Sequence, residues 1–260
     1  MNIAVILSGG TGSRIGLEIP KQYIEVNGRP MIDFCLETFF AHPEVDAVQI
    51  VADKAWREYI LGFVSQAEKC LDNAGAVSQT ENPLNSAGNI FQTEKRLENT
   101  GKFRGFSDPG PNRQLSIYQA LTDMREYADE GDTVIIHDAA RPFVTAEQIS
   151  RCLGDMKGHE GVLSVLPMKD TVYITDGKHV SSLLDRERIY AGQAPEFFLF
   201  GKYYAANQAL LPDRILSVNG STEPAILAGM DVCLSQGDEG NFKVTTERDL
   251  EMFRRAVGEF

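Results

Sequence analysis

Asn2-Ile3-Ala4-Val5-Ile6-Leu7 runs straight into Ser8-Gly9-Gly10-Thr11-Gly12-Ser13-Arg14-Ile15-Gly16, and Pro20-Lys21-Gln22-Tyr23 follows three residues later. The first six residues read as a buried strand. The glycines behind it allow positive φ and carry no side chains, so backbone N–H groups can come close to an anion. Arg14 and Lys21 add two cations beside those amides. Together these features describe a site for the triphosphate of a nucleotide. Glycines alone would also serve a tight turn. Two commoner phosphate loops are excluded. In G-x-G-x-x-G, Ile15 stands where the third glycine belongs, and no Gly-Lys-Ser or Gly-Lys-Thr occurs.

Outward from this loop, strand and helix patterns alternate. Strands are expected at Ile3–Leu7, Ala47–Val51, Thr133–Ile136, Gly161–Leu166 and Asp231–Leu234. Helices are expected at Pro30–Phe40, Ala55–Leu71, Ser116–Tyr127, Ala146–Leu153, Phe197–Leu210 and Thr246–Val257. Such alternation predicts a mainly parallel sheet with helices on both faces, and ligands at the carboxyl ends of its strands. Two stretches break the rhythm. Residues 74–112 are rich in Asn, Gly, Ser, Gln and Pro, and read as a flexible lid or a surface excursion. Residues 168–193 hold two β-runs, Thr171–Thr175 and Val180–Leu184, around Asp176-Gly177-Lys178, which is a hairpin signal.

The 260 residues suffice for one large α/β domain, and 43% hydrophobic with 24% charged residues is ordinary for a globular chain. A net charge of −12 repels nucleic acid and anionic membranes, so neither is expected as a partner. A phosphate-rich ligand must then be drawn by a local basic cluster, for which Arg14, Lys21, Arg113, Arg141, Arg186 and Lys243 are candidates. Cys35, Cys70, Cys152 and Cys233 form no C-x-x-C pair, which argues for buried free thiols rather than zinc or disulfides. With no leader pattern and no long apolar run, a cytoplasmic location is expected.

The first loop with Pro20-Lys21-Gln22-Tyr23 resembles the signature of the polyol-phosphate cytidylyltransferases. These are the branch of sugar-phosphate nucleotidyltransferases that act on 2-C-methylerythritol 4-phosphate or ribitol 5-phosphate. His137-Asp138-Ala139-Ala140-Arg141-Pro142, Lys169-Asp170-Thr171 and Asn241-Phe242-Lys243-Val244-Thr245 extend the resemblance in order, from about residue 2 to 256. It implies a single domain over residues 1–260 with a Rossmann-like α/β nucleotidyltransferase fold. The insertion at 74–112 would interrupt it, and a protruding β-arm at 168–193 would embrace a second subunit in a homodimer. It also implies CMP transfer from CTP to a polyol phosphate, with Mg²⁺ and release of pyrophosphate. That chemistry needs alignment and charge neutralisation at phosphorus rather than a strong base.

Carried over position by position, the resemblance gives Lys21, Arg14 and Lys243 as the groups acting on the α-phosphate and the leaving pyrophosphate. Ser8, Gly9, Gly10, Thr11, Gly12, Ser13, Arg113, Ser116 and Asp138 would bind the nucleotide. Asp138, Arg141, Thr171 and Arg186 would bind the acceptor, and Asp138 would help to place the metal. From the residues alone, alternation could turn Lys243 to solvent, Ser116 could be a helix cap, and His137 reads as a partly buried, hydrogen-bonded histidine. The chain departs from the pattern at Ala194-Pro195-Glu196, where relatives read Thr-Pro-Gln. It departs again near Thr222-Glu223, where the spacing slips. These departures leave the acceptor open. They also keep two alternatives in play: a sugar-1-phosphate nucleotidyltransferase using UTP or GTP, and a non-catalytic CTP-binding protein.

Overall fold

In the computed structural model, residues 1–10, 19–72 and 101–258 are described. The elements in chain order are β1 (Asn2–Leu7), β2 (Glu25–Val26), β3 (Arg29–Pro30), α1 (Met31–Ala41), β4 (Ala47–Val51) and α2 (Lys54–Asp72). After these come β5 (Phe103–Ser107), α3 (Arg113–Met124), β6 (Thr133–Asp138), α4 (Ala146–Asp155), β7 (Gly161–Pro167), β8 (Tyr173–Thr175) and β9 (Val180–Leu183). The chain closes with β10 (Tyr190–Leu199), α5 (Phe200–Gln208), α6 (Glu223–Leu227), β11 (Val232–Gln236) and α7 (Glu247–Ala256). Seven strands form one sheet in the order β11-β7-β10-β6-β1-β4-β5. All neighbouring pairs are parallel except those of β10, which runs antiparallel to both β6 and β7.

β1 lies between β4 and β6 because Ile3, Ala4, Val5 and Ile6 are apolar on both faces of the strand and wholly buried. Alternation sends Ala4 and Ile6 to the layer of α1 and α2, with Ile32, Leu36 and Phe39. Ile3 and Val5 face the opposite layer, with Ile117 and Leu121 of α3 and Tyr203 of α5. β1 and β6 stop side by side, with Leu7 opposite Asp138, so the glycine loop and the Asp138 carboxylate emerge at one end of the sheet.

The sequence predicts a helix over Phe197–Leu210, but the chain stays extended through Leu199 and turns helical at Phe200. A short apolar run has no period of its own. Here Phe197 and Phe198 pair with Ile135 and Val134 of β6 and are wholly buried between two strands, so pairing decides their conformation. The 74–112 stretch ends differently from the expectation: its Phe103–Ser107 is an edge strand paired with β4. The part from 74 to 100 lies outside the described residues. The hairpin forms as β8 and β9, with Tyr173 opposite Leu183 and Gly177 at a φ of 98° in its turn. Every residue of both strands is exposed. Residues 190–193, expected on the arm, instead open β10.

Cys35 and Cys152 are buried free thiols, and Cys233 is a half-buried one. Among the described residues, no helix is long and apolar enough to cross a membrane. The Phe198 ring stacks on Tyr203 at 4.1 Å and 8°, joining the odd strand β10 to its helix. Phe198→Ala is expected to cost about 3–5 kcal/mol through lost burial and the cavity left behind. Urea denaturation reads the loss.

Candidate active site

The Pro20-Lys21-Gln22-Tyr23 step acts first as a clamp on Ser8 and Gly10. The Gln22 side-chain amide donates to the carbonyls of Ser8 at 2.7 Å and Gly10 at 2.8 Å. The Tyr23 hydroxyl lies 2.7 Å from Ser8 Oγ and 3.0 Å from its carbonyl. Both side chains are buried, so these bonds form away from competing water. Behind them the Tyr23 ring stacks on Trp56 at 4.3 Å and 17°. Gly9 admits no side chain, since a Cβ there would lie 2.4 Å from Pro109 Cβ.

On the far side of the site, α3 begins at Arg113. Its cap is Asn112, whose Oδ1 accepts from Leu115 N at 2.7 Å. The Asn112 amide also donates to Ile215 O at 3.1 Å, which ties the helix start to the 214–217 turn. Ser116 is not the cap. Its hydroxyl donates to Asn112 O at 2.9 Å and accepts from Gly110 N at 3.0 Å, folding the 110–112 turn back on the helix. A Cβ at Gly110 would meet Leu115 Cβ at 2.6 Å, so only glycine fits this return.

Asp138 ends β6 and is buried. Arg113 Nε donates to its Oδ1 at 3.1 Å, Lys243 Nζ donates to Oδ2 at 2.9 Å, and Arg141 Nε lies 3.9 Å from Oδ2. Burial pushes the Asp138 carboxyl up, but Arg113, Lys243 and Arg141 overcome it and hold the group well below the usual carboxylate range. Lys21 reaches the same place from the other side: its Nζ donates to Val244 O at 2.6 Å, while Val244 N donates to Ala140 O at 2.8 Å. Val244 is wholly buried. Lys243, its neighbour in an extended segment, faces the cavity rather than bulk solvent. This segment is held at both ends. Asn241 donates to Gln148 Oε1 at 3.0 Å and Ala194 O at 2.8 Å. Thr245 donates through N and Oγ1 to Asp249, which also completes the capping box of α7.

These groups enclose a cavity of about 570 Å³ at the carboxyl ends of β1 and β6, lined by Gly9, Gly10, Lys21, Arg113, Asp138 and Lys243 among others. A cleft of this size takes a nucleotide. Its wall combines a glycine turn, two lysines and an arginine with one ionised carboxylate.

The sequence matches the family described as IspD: 2-C-methyl-D-erythritol 4-phosphate cytidylyltransferase over residues 2–82 and 105–257. The chain belongs to this family. The members are cytidylyltransferases, so the chain is an enzyme of the nucleotidyltransferase class. A 2-C-methyl-D-erythritol 4-phosphate cytidylyltransferase of Geobacter metallireducens is 29% identical over 98% of this chain and 97% of its own length. A ribitol-5-phosphate cytidylyltransferase of Lacticaseibacillus paracasei is 24% identical over 100% and 99%. The solved 4-diphosphocytidyl-2C-methyl-D-erythritol synthase of Anaerococcus prevotii shares the fold with a TM-score of 0.73 at 22% identity, covering 98% of this chain and 95% of that one. The family match skips residues 83–104, which fall inside the 74–112 stretch.

Of the residues expected to act in this cytidylyltransferase, Gly9, Gly10, Lys21, Arg113, Ser116, Asp138 and Lys243 line one cavity. Ser8 stands just behind it with both its oxygens held. Arg141 is packed behind Asp138, donating to Asn241 O at 2.7 Å. Thr171 and Arg186 do not line the cavity. They are exposed near the β8–β9 hairpin, with Arg186 Nη1 donating to Lys169 O at 3.0 Å. Thr11, Gly12, Ser13 and Arg14 lie outside the described residues. His137 is wholly buried, and burial pushes its pKa down to about 4, so it is neutral; its Nε2–H donates to Arg141 O at 3.0 Å. No motif in the sequence assigns a role to Gln22, Asn112 or Glu196. An Asn four residues before the expected helix start at Ser116 is the one signal that could have located the cap.

Because the Asp138 pKa is depressed in the folded protein, its charge stabilises the fold above the unfolded value near 4, and that stability is lost as pH falls toward the folded value. Asp138→Asn leaves clustered cations without their counter-charge and is expected to cost about 3–5 kcal/mol at pH 7. The gap between variant and wild type should narrow below about pH 4. Denaturation at several pH values checks both.

Proposed function

We propose that the protein transfers the cytidylyl group from CTP to a polyol phosphate, giving a CDP-polyol and pyrophosphate. One observation supports this above the others: Lys21, held on Val244 O, and Lys243, held on Asp138, line one cavity with the clamped Gly9 and Gly10. An oxygen of the acceptor phosphate attacks the α-phosphorus, and the bond from that phosphorus to the bridging oxygen of the β-phosphate breaks. Lys21 and Lys243 stabilise the charge that grows on the α-phosphate, and Arg14 grips the departing pyrophosphate. Arg113 and the amides of Gly9 and Gly10 hold the nucleotide in line.

Among the described residues, no three His, Cys, Asp or Glu side chains cluster as a metal cage. The site nevertheless fits a Mg²⁺ carried mainly by the triphosphate. Asp138 is a single ionised carboxylate on the cavity wall, and each of its oxygens keeps a lone pair beyond the one it gives Arg113 or Lys243. When bound, the ion neutralises phosphate charge.

The acceptor is ribitol 5-phosphate or 2-C-methylerythritol 4-phosphate, the two substrates in the names of the relatives. The protein acts in the cytoplasm as a homodimer. Tyr173, Ile174, Val180 and Leu183 give the β8–β9 arm an exposed apolar surface for a second subunit, and Thr171 and Arg186 complete that subunit's acceptor pocket.

Pyrophosphate release with CTP and Mg²⁺ should occur with one of the two polyol phosphates, and far more slowly with UTP or GTP. Lys21→Ala should lower kcat about 100-fold or more. A variant that keeps full turnover would overturn the role given to Lys21, and tight CTP binding with no turnover on either acceptor would overturn the reaction.

A further inference from the structure

We infer that Glu196 is a positioning residue of the nucleotide site, fixing the Arg113 guanidinium from the side that Asp138 leaves open. This rests on the proposed CTP site. β10 runs antiparallel beside β6 with Glu196 opposite Ile136, and on its other side its pairing with β7 shifts register between Gln193 and Glu196. Ile136 and Asp138 share a face of β6 by alternation, so two carboxylates from two strands stand on one side of the sheet. Arg113, the first residue of α3, enters between them. Its Nε donates to Asp138 Oδ1 at 3.1 Å, and its Nη2 lies 4.0 Å from Glu196 Oε1.

The second Glu196 oxygen is pinned from another direction. The Ser221 hydroxyl donates to Oε2, and Thr222 Oγ1 donates to it at 3.2 Å. Ser221 is itself held, since its carbonyl accepts from the Tyr203 hydroxyl at 2.6 Å. Glu196 is therefore a fixed post and not a swinging side chain. Burial pushes its carboxyl up and Arg113 pulls it back, with Asp138 adding to the rise. Such a buried acid is costly unless it is paired.

A guanidinium is a planar fork. Held at Nε alone, it can pivot about that bond. The Glu196 carboxylate 4.0 Å from Nη2 adds an electrostatic pull that biases its plane and leaves the fork's donors for a ligand in the cavity that Arg113 lines. The same geometry joins the Ser221–Thr222 turn to the nucleotide wall through one carboxylate.

The test measures CTP dissociation constants by calorimetry for wild type, Glu196→Gln, Arg113→Ala and the double variant. Glu196→Gln keeps the shape and removes the charge. It should weaken CTP binding about fivefold in the wild-type background and hardly at all once Arg113 is gone. In turnover the loss should fall on KM for CTP more than on kcat. Equal weakening in both backgrounds, or no weakening in either, would overturn the inference while CTP turnover by the wild type left the proposed function standing. Wild type that binds no CTP would overturn both. If Glu196→Gln does not fold, Thr222→Val loosens the same post and decides the matter by the same comparison, with a smaller effect expected.

Discussion

Arg113, Lys243 and Arg141 come from a helix start, a late loop and a strand exit, and they meet at the Asp138 carboxylate. Cations so close together repel unless something negative stands among them. Asp138 supplies that charge from the end of β6, and it can do so because β6 lies beside β1 and finishes level with it. The loop of Asn241 to Thr245, the start of α3 and the turn at Ala140 all take their positions around this one group. The arrangement is also unfinished electrostatically. Counting Lys21, the wall carries more positive than negative side chains, so its charge is complementary to an anion.

That local excess explains how a chain of net charge −12 can hold an anion. A net negative field repels polyanions in general, whereas the cleft gathers three cations around the Asp138 carboxylate. Arg113 differs from the lysines in this respect. With Asp138 on one side and Glu196 on the other, it works as a shaped donor more than as a bare charge. The lysines, one bonded to a carbonyl and one to a carboxylate oxygen, remain compact point charges suited to phosphate oxygens.

Much of this was legible in the chain because the deciding strands are continuous apolar runs closed by unusual polar residues. Asn2–Leu7 before the glycines and Thr133–Ile136 before His137-Asp138 could hardly be anything else in an α/β pattern. Phe197-Phe198-Leu199 was not legible, since nothing local distinguishes a buried strand from the first turn of a helix, and only β6 and β7 resolve it. Phe103-Arg104-Gly105-Phe106-Ser107 was obscured by its glycine and by its position on the sheet edge, where only the two end residues are buried. Asn112 was hidden by placing the helix start three residues late. Gln22 and Glu196 act through partners far along the chain or from other elements, and no spacing rule announces such pairs.

Trp56 is the single tryptophan of the chain, and it lies flat against Tyr23, whose hydroxyl grips Ser8. The side chains of Tyr23 and Ser8 therefore link the indole to the backbone that would meet a nucleotide. A displacement of Ser8 would pass through Tyr23 into the stack, so the indole's emission is expected to report on that position with no label attached.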